Sequence, residues 1–320
     1  MIPGSGALIL SLLSLLWLLA WPSPLAAVIK PAVSPYLRLE GQACRLSYAP
    51  KSQYLAFTDG DDRSLSFVSL TTRRVVLVTP HLVGPSFFWS PDGHRLFFRE
   101  LVKSPMGALS TIVKVYDVAL AKSVELSRLS GSSGFLTFDP RDLRFQLMTP
   151  TGILSRRIFF PDERLAHWQT AARTERGKWL ATQRGLLWLS HGGLAMQRLK
   201  DDNSGLASFA LSPDGQSAAW STVAGHVYIA DSTTAPRLVG WGRDPTWHPQ
   251  RSLIVYAASH RVGTKVIDTD LRIVDLKGSG RYLTRTAQSS ERWPVWIDKG
   301  KALLYTIDGS TDVRKVEFKE

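Results

Sequence analysis

The sequence predicts an all-β chain folded as a β-propeller of seven four-stranded blades, with six as the alternative. Three observations carry that expectation. A tight turn recurs, most clearly as Trp89-Ser90-Pro91-Asp92-Gly93 and Leu211-Ser212-Pro213-Asp214-Gly215. Apolar residues follow each turn at fixed offsets, and no segment after residue 27 carries a long helical period.

The turn has a plain physical basis. Pro fixes φ at its second position, Asp bonds back to nearby amides, and Gly adopts the left-handed conformation that closes a hairpin. Counted from the residue that opens the turn, offsets seven and nine are apolar: Leu96/Phe98 after Trp89, and Ala218/Trp220 after Leu211. The same offsets give Leu55/Phe57 after Tyr48, Phe145/Leu147 after Phe138, Ile254/Tyr256 after Trp247 and Leu303/Tyr305 after Trp296. A degenerate copy opens at Arg173, keeps Gly177 and reads Leu180/Thr182. This weak copy is why six blades stay open beside seven. Alternation of this kind predicts hairpins with one buried face.

The openings recur at roughly 35–50 residues, a step that suits four strands of a propeller blade. Third strands are expected at Ser64–Leu70, Thr111–Val118, Leu186–Ser190, His226–Asp231 and Leu271–Leu276. Fourth strands are expected at Val75–Thr79, Ser123–Leu129, Ala235–Gly240 and Tyr282–Arg285. The last repeat has strands near Pro294-Val295-Trp296, at Ala302–Ile307 and at Val313–Phe318, and then lacks a fourth. Val28–Leu39, ahead of the first repeat, is expected to supply it, closing the ring and removing a sheet edge.

The run Trp89-Ser90-Pro91-Asp92-Gly93-His94-Arg95-Leu96-Phe97-Phe98 resembles the WD40-like β-propeller repeat of the TolB family. Leu211–Ser221 resembles it equally, and Trp247–Ala257 and Trp296–Thr306 more loosely. The resemblance covers the chain from the first repeat onward and implies the propeller. It also implies an exported binding role, since the family's namesake is periplasmic and binds a peptidoglycan-associated lipoprotein. That protein carries an α/β domain ahead of its propeller. Here only residues 28–47 stand before the first opening, so the expectation is a propeller alone.

Residues 1–27 read as a secretory signal. Ala7–Ala20 is apolar apart from Ser11 and Ser14, Trp21-Pro22-Ser23-Pro24 breaks any helix, and Leu25-Ala26-Ala27 offers small residues for cleavage. A membrane-spanning helix needs about 20 apolar residues, more than this core supplies. No Lys or Arg precedes the core and Leu25 is bulky, so a retained N-terminal anchor is the alternative. The body, residues 28–320, is expected in the periplasm or secreted, with no integral span once the signal is removed. Its formal charge of +12 favours an anionic envelope component or an envelope protein partner and leaves nucleic acid aside, given export.

No catalytic, cofactor or metal residue is named by the sequence, and no cofactor is expected. The single cysteine, Cys44, reads as a buried inert thiol. The histidines (His81, His94, His167, His191, His226, His248 and His260) include no pair at metal-ligand spacing. His248 is the best isolated candidate, with turn capping as the competing role. Asp59-Gly60-Asp61-Asp62 reads as a solvated acidic turn, Asp92 and Asp214 as turn residues, and His191-Gly192-Gly193 as a hairpin turn. Trp89, Trp247 and Trp296 share one repeat position and are expected to pack between blades, whereas Trp179, Trp188, Trp241 and Trp293 are candidates for an exposed face. The functional expectation is a non-catalytic, exported binding module. The alternative is an enzyme with a site in the central channel, of lactonase, lyase or glycan-hydrolase type.

Overall fold

The computed structural model describes residues 31–84, 87–131, 202–231 and 235–318. Between them it describes the backbone of the strands from Leu136 to Arg198 and the side chain of Leu136. Segment 1–27, the Arg173 turn, His167 and the His191-Gly192-Gly193 turn lie outside the described residues.

Turn and offset together produce a series of antiparallel sheets whose strands follow one another in space as they do in sequence. Sheet I comprises Ala43–Ala49, Tyr54–Asp59, Leu65–Ser69 and Val75–Thr79. Sheet II comprises Phe88–Trp89, Arg95–Lys103, Leu109–Asp117 and Lys122–Ser130. Sheet III holds Leu136–Asp139, Arg144–Thr149, Gly152–Arg157 and Gln169–Thr170. Sheet IV shows three described strands, Lys178–Thr182, Gly185–Leu189 and Met196–Arg198.

Sheets V and VI share a strand. Leu206–Leu211, Ser217–Thr222 and His226–Asp231 lead into Arg237–Trp247. The first half of that strand pairs back to sheet V, and its second half begins sheet VI with Leu253–Val262, Lys265–Asp275 and Gly280–Tyr282. Sheet VII comprises Glu291–Ile297, Ala302–Ile307 and Asp312–Glu317, and its fourth strand is Ala32–Arg38 from the other end of the chain, with Ala32 opposite Glu317. The strand expected from Val28–Leu39 is therefore present and sits where the last repeat lacks one.

The turns are built as their residues dictate. In sheet II the amide of Gly93 donates to Ser90 O at 2.8 Å, and Asp92 accepts from Ser90 Oγ and from the His94 amide. In sheet V Gly215 donates to Ser212 O and Asp214 accepts from Ser212 Oγ and the Gln216 amide. Both glycines have φ near +70°, at +78° and +66°, where a side chain is strained. Asp92 and Asp214 are turn residues.

Packing departs from the expectation of one buried face. Offsets seven, eight and nine are buried together, as Leu96-Phe97-Phe98, Ala218-Ala219-Trp220 and Ile254-Val255-Tyr256. The reason is that each of these sheets lies between two others. Offsets seven and nine pack against the preceding sheet: Leu96 and Phe98 join Ala56 and Phe67 of sheet I, and Leu303 and Tyr305 join Val255 and Ile273 of sheet VI. Offset eight packs against the following sheet, as Ala219 does with Ile254 and Tyr256. The same arrangement joins sheet VII to sheet I through Leu304, Ile297, Leu55 and Val68.

The shared tryptophans join neighbouring sheets by hydrogen bonds as well as by area. Trp89 Nε1 donates to Ser47 O of sheet I at 3.1 Å, and Trp247 Nε1 donates to Ala210 O of sheet V at 2.9 Å. Both acceptors lie one residue before the opening of their own repeat. Trp296 packs edge-on against His248 at 4.6 Å instead, and its buried Nε1 has no hydrogen-bond partner among the described residues. Trp247→Phe is therefore expected to cost about 1 kcal/mol by leaving the half-buried Ala210 carbonyl without this donor, and Trp296→Phe clearly less. Urea unfolding of the two variants checks the difference.

Candidate functional site

The first strands of sheets I, II, III, V, VI and VII converge on one cavity of about 500 Å³. Among the described residues its wall is rich in rings, including Tyr48, Phe88, Phe209, Trp247, Trp293 and Trp296, with Pro213, Pro245, Pro249 and Pro294 between them. Apart from the strand shared by sheets V and VI, these are terminal strands of their sheets, so one backbone edge of each is free of sheet pairing.

Three of these strands carry a bulge at the same place, three residues before the turn opens. Register shifts fall between Cys44 and Ser47, between Arg243 and Thr246, and between Arg292 and Val295. In each the first bulge residue is left-handed although it is not glycine: Arg45 at φ +50°, Asp244 at +56° and Trp293 at +54°. Two are followed by proline, Pro245 and Pro294, a residue that sheets accept at bulges. Such backbone costs of order 1–3 kcal/mol per residue and persists where surrounding contacts hold it.

Those contacts form one chain of charge and ring across sheets VI, VII and I. Arg292 Nε donates to Asp244 Oδ2 at 2.8 Å and its Nη1 to Asp308 at 3.3 Å. The Arg292 guanidinium lies 4.5 Å from the centre of the Trp293 ring, and that of Arg45 lies 4.7 Å from it. Arg45 Nε in turn donates to Asp62 at 2.7 Å, where Thr58 Oγ1 also donates. Burial works against the Arg292 cation, but the carboxylates of Asp244 and Asp308 outweigh it and hold its pKa above the ordinary value. Burial lowers the nearby Arg99 to about 10, with the Arg45 charge adding to the effect. Burial, aided by Asp62 and Asp308, lifts the Cys44 thiol to about 11, which keeps it protonated.

The acidic turn thus divides in two. Asp59 accepts from the Arg63 amide and Ser64 hydroxyl at the surface, whereas Asp62 turns inward to Arg45. Sequence reasoning missed Arg45, Asp244 and Arg292. Arg45 and Asp244 share with Trp293 the place three residues before the turn, a position marked by its backbone conformation and not by residue type, and Arg292 stands one residue earlier.

His248 stands where Ser90 and Ser212 stand in their turns. Its Nδ1 accepts from the amides of Gln250 and Arg251, both at 3.0 Å, which places the ring proton on Nε2. Burial, with Arg251 beside it, lowers its pKa to about 4, so it is neutral at pH 7. Gly300 packs against this ring at φ +91°, and a Cβ there would lie 2.4 Å from it. His248 caps a turn.

The four tryptophans off the shared position separate. Trp179 and Trp188 are partners in the register of sheet IV, and their side chains lie outside the described residues. Trp293 belongs to the cavity. Trp241 is 43 % exposed and lies between the His226 ring at 3.9 Å and the Arg261 guanidinium at 4.0 Å. Asp202 holds His226 from behind. Burial pushes its carboxyl up, but hydrogen bonds from Thr222, Ser204 and His226 outweigh this and bring it to about 2.

A second cluster lies between sheets VI and VII. Glu291 is fully buried, accepts from Thr286 Oγ1 and sits beside Asp270, which bonds His260 Nε2 at 2.8 Å. Burial raises the Glu291 carboxyl, and Asp270 adds to it, to about 7. Among the described residues no three His, Cys, Asp or Glu side chains form a metal-binding group. Compared with known protein families and with curated proteins, the sequence matches none.

Proposed function

We propose that the sheets close into a seven-bladed β-propeller, and that the chain is an exported binding module which receives a segment of a protein partner in its central channel. The observation that carries this reading is the ring-lined cavity of about 500 Å³ where the first strands meet. The shared clusters between successive sheets and the N-terminal strand completing sheet VII support closure. Aromatic and proline side chains suit an apolar, extended segment, and the free strand edges offer its backbone donors and acceptors. The charged groups at the mouth are bound to one another, Arg292 to Asp244 and Arg45 to Asp62, so they serve as rigid framing more readily than as proton carriers.

Affinity capture from an envelope extract of the source cells tests the reading. One saturable partner is expected with the native chain, and it should be lost when Thr246, on the cavity wall, is changed to Trp. Absence of any saturable partner, together with turnover of a lactone or glycan, overturns it in favour of a channel enzyme.

A further inference from the structure

Two hairpins outgrow their neighbours at the same end of the sheets. The second and third strands of sheet VI are ten and eleven residues long and those of sheet II nine each, against six and six in sheets V and VII. At about 3.3 Å per residue the extra length lifts each tip about 10 Å above the adjoining hairpins. The ends correspond, because the turns at the opposite end touch from sheet to sheet: Ser52 Oγ donates to Gly93 O, and His248 packs on Gly300.

Both tips are apolar where solvent would call for polar residues. In sheet VI Val262 is 68 % exposed, with Val266 and Ile267 beside it at 47 % and 54 %. In sheet II Met106 is 94 % exposed and Leu109 47 %. Val262 pairs with Lys265 and Arg261 with Val266, so Val262 and Val266 lie on opposite faces and the ribbon is not apolar on one face only. A protein partner covers one face of a ribbon, whereas a bilayer surrounds it. Neither segment 101–109 nor segment 261–267 contains Asp or Glu, and each carries Lys at its tip, Lys103 and Lys265. Of the neighbouring acids, Glu100 is buried on Lys114 and Thr79 and Asp270 on His260, while Asp268, next to Ile267, is half-buried below the tip.

We propose that these two tips insert into the interface of an anionic phospholipid bilayer. Their height matches the 5–10 Å to which interfacial elements sink, and their lysines meet the headgroup phosphates. The proposal stands apart from the channel reading, since neither tip lines the cavity.

The test is local, because residues 7–20 of the full chain are apolar and would hold every variant near a bilayer alike. Cys44 is buried, so a cysteine placed at Met106, at Ile267 or at Leu120 can be labelled selectively with a polarity-sensitive dye. Leu120 is 72 % exposed at the far end of sheet II. With vesicles containing phosphatidylglycerol, dyes at 106 and 267 are expected to shift to the blue while the dye at 120 stays aqueous. Val262→Asp should at least halve the blue shift of the dye at 267 at an unchanged melting temperature. An equal shift at 120, an equal response to neutral phosphatidylcholine vesicles, or no shift at either tip overturns the proposal. So does a tip shift that requires a captured protein rather than lipid.

Discussion

Replacing Trp220 by Ala is expected to destabilise the chain by about 3–5 kcal/mol and to lower its melting temperature by roughly 10 °C. Trp220 is fully buried at offset nine of sheet V, stacked on Tyr228 at 5.5 Å and packed with Leu206, Ala218 and Ala230. Two of those neighbours are already alanine and cannot extend into the void. On the reverse face of the same strand Ala219 joins the cluster with sheet VI, so collapse toward Trp220 would pull a second interface apart. Trp220→Phe keeps a ring on Tyr228 and should lose about half as much. Urea denaturation followed by far-ultraviolet circular dichroism measures both, and a loss below about 1.5 kcal/mol for the alanine variant would contradict this packing account.

Glu291→Gln is expected to stabilise the chain at pH 8 by about 2–3 kcal/mol and to leave it nearly unchanged at pH 4.5. The Glu291 carboxyl is raised in the fold from the ordinary 4.5 to about 7, first by burial and then by Asp270. A raised carboxyl binds its proton more tightly folded than unfolded. Its contribution is therefore whole below about pH 4.5, drains as pH rises toward 7, and is absent above. At pH 8 the native chain holds a buried carboxylate beside Asp270, with Tyr305 facing it from sheet VII and Thr286 and Ser289 from the linking segment. Gln keeps the shape and removes the charge. Paired urea midpoints at pH 4.5 and pH 8 test this, and a variant less stable than the native chain at pH 8 would show that the carboxylate is held by a partner instead.

The turns and offsets were legible because they depend on local chemistry. Pro91, Asp92 and Gly93 can do little else in sequence, and Ala302–Ile307 falls where the offsets put it. Burial on both faces was not legible, since Ala219 and Val255 look like any residue between two apolar ones. Neither was the fused strand Arg237–Trp247, because the expected fourth strand ended at Gly240 whereas the pairing continues, through a bulge, to Trp247. The cavity mouth was hidden for another reason. Arg45, Asp244 and Trp293 share a backbone conformation and no side-chain chemistry, so only their φ angles reveal them as one position. Glu291 and Asp270 are brought together by pairing between sheets, which no local spacing records.

The strand Ala32–Arg38 lies against Asp312–Glu317, at opposite ends of the described chain. Among the described residues no other pairing spans such a separation, and joining ends so distant carries a loop-closure entropy that must be met before the contact returns anything. Sheet VII is accordingly expected to be the last to form. Until then the edges of Asp312–Glu317 and Ala32–Arg38 stand open to strands of other chains, which makes the final pairing the step most exposed to aggregation during synthesis.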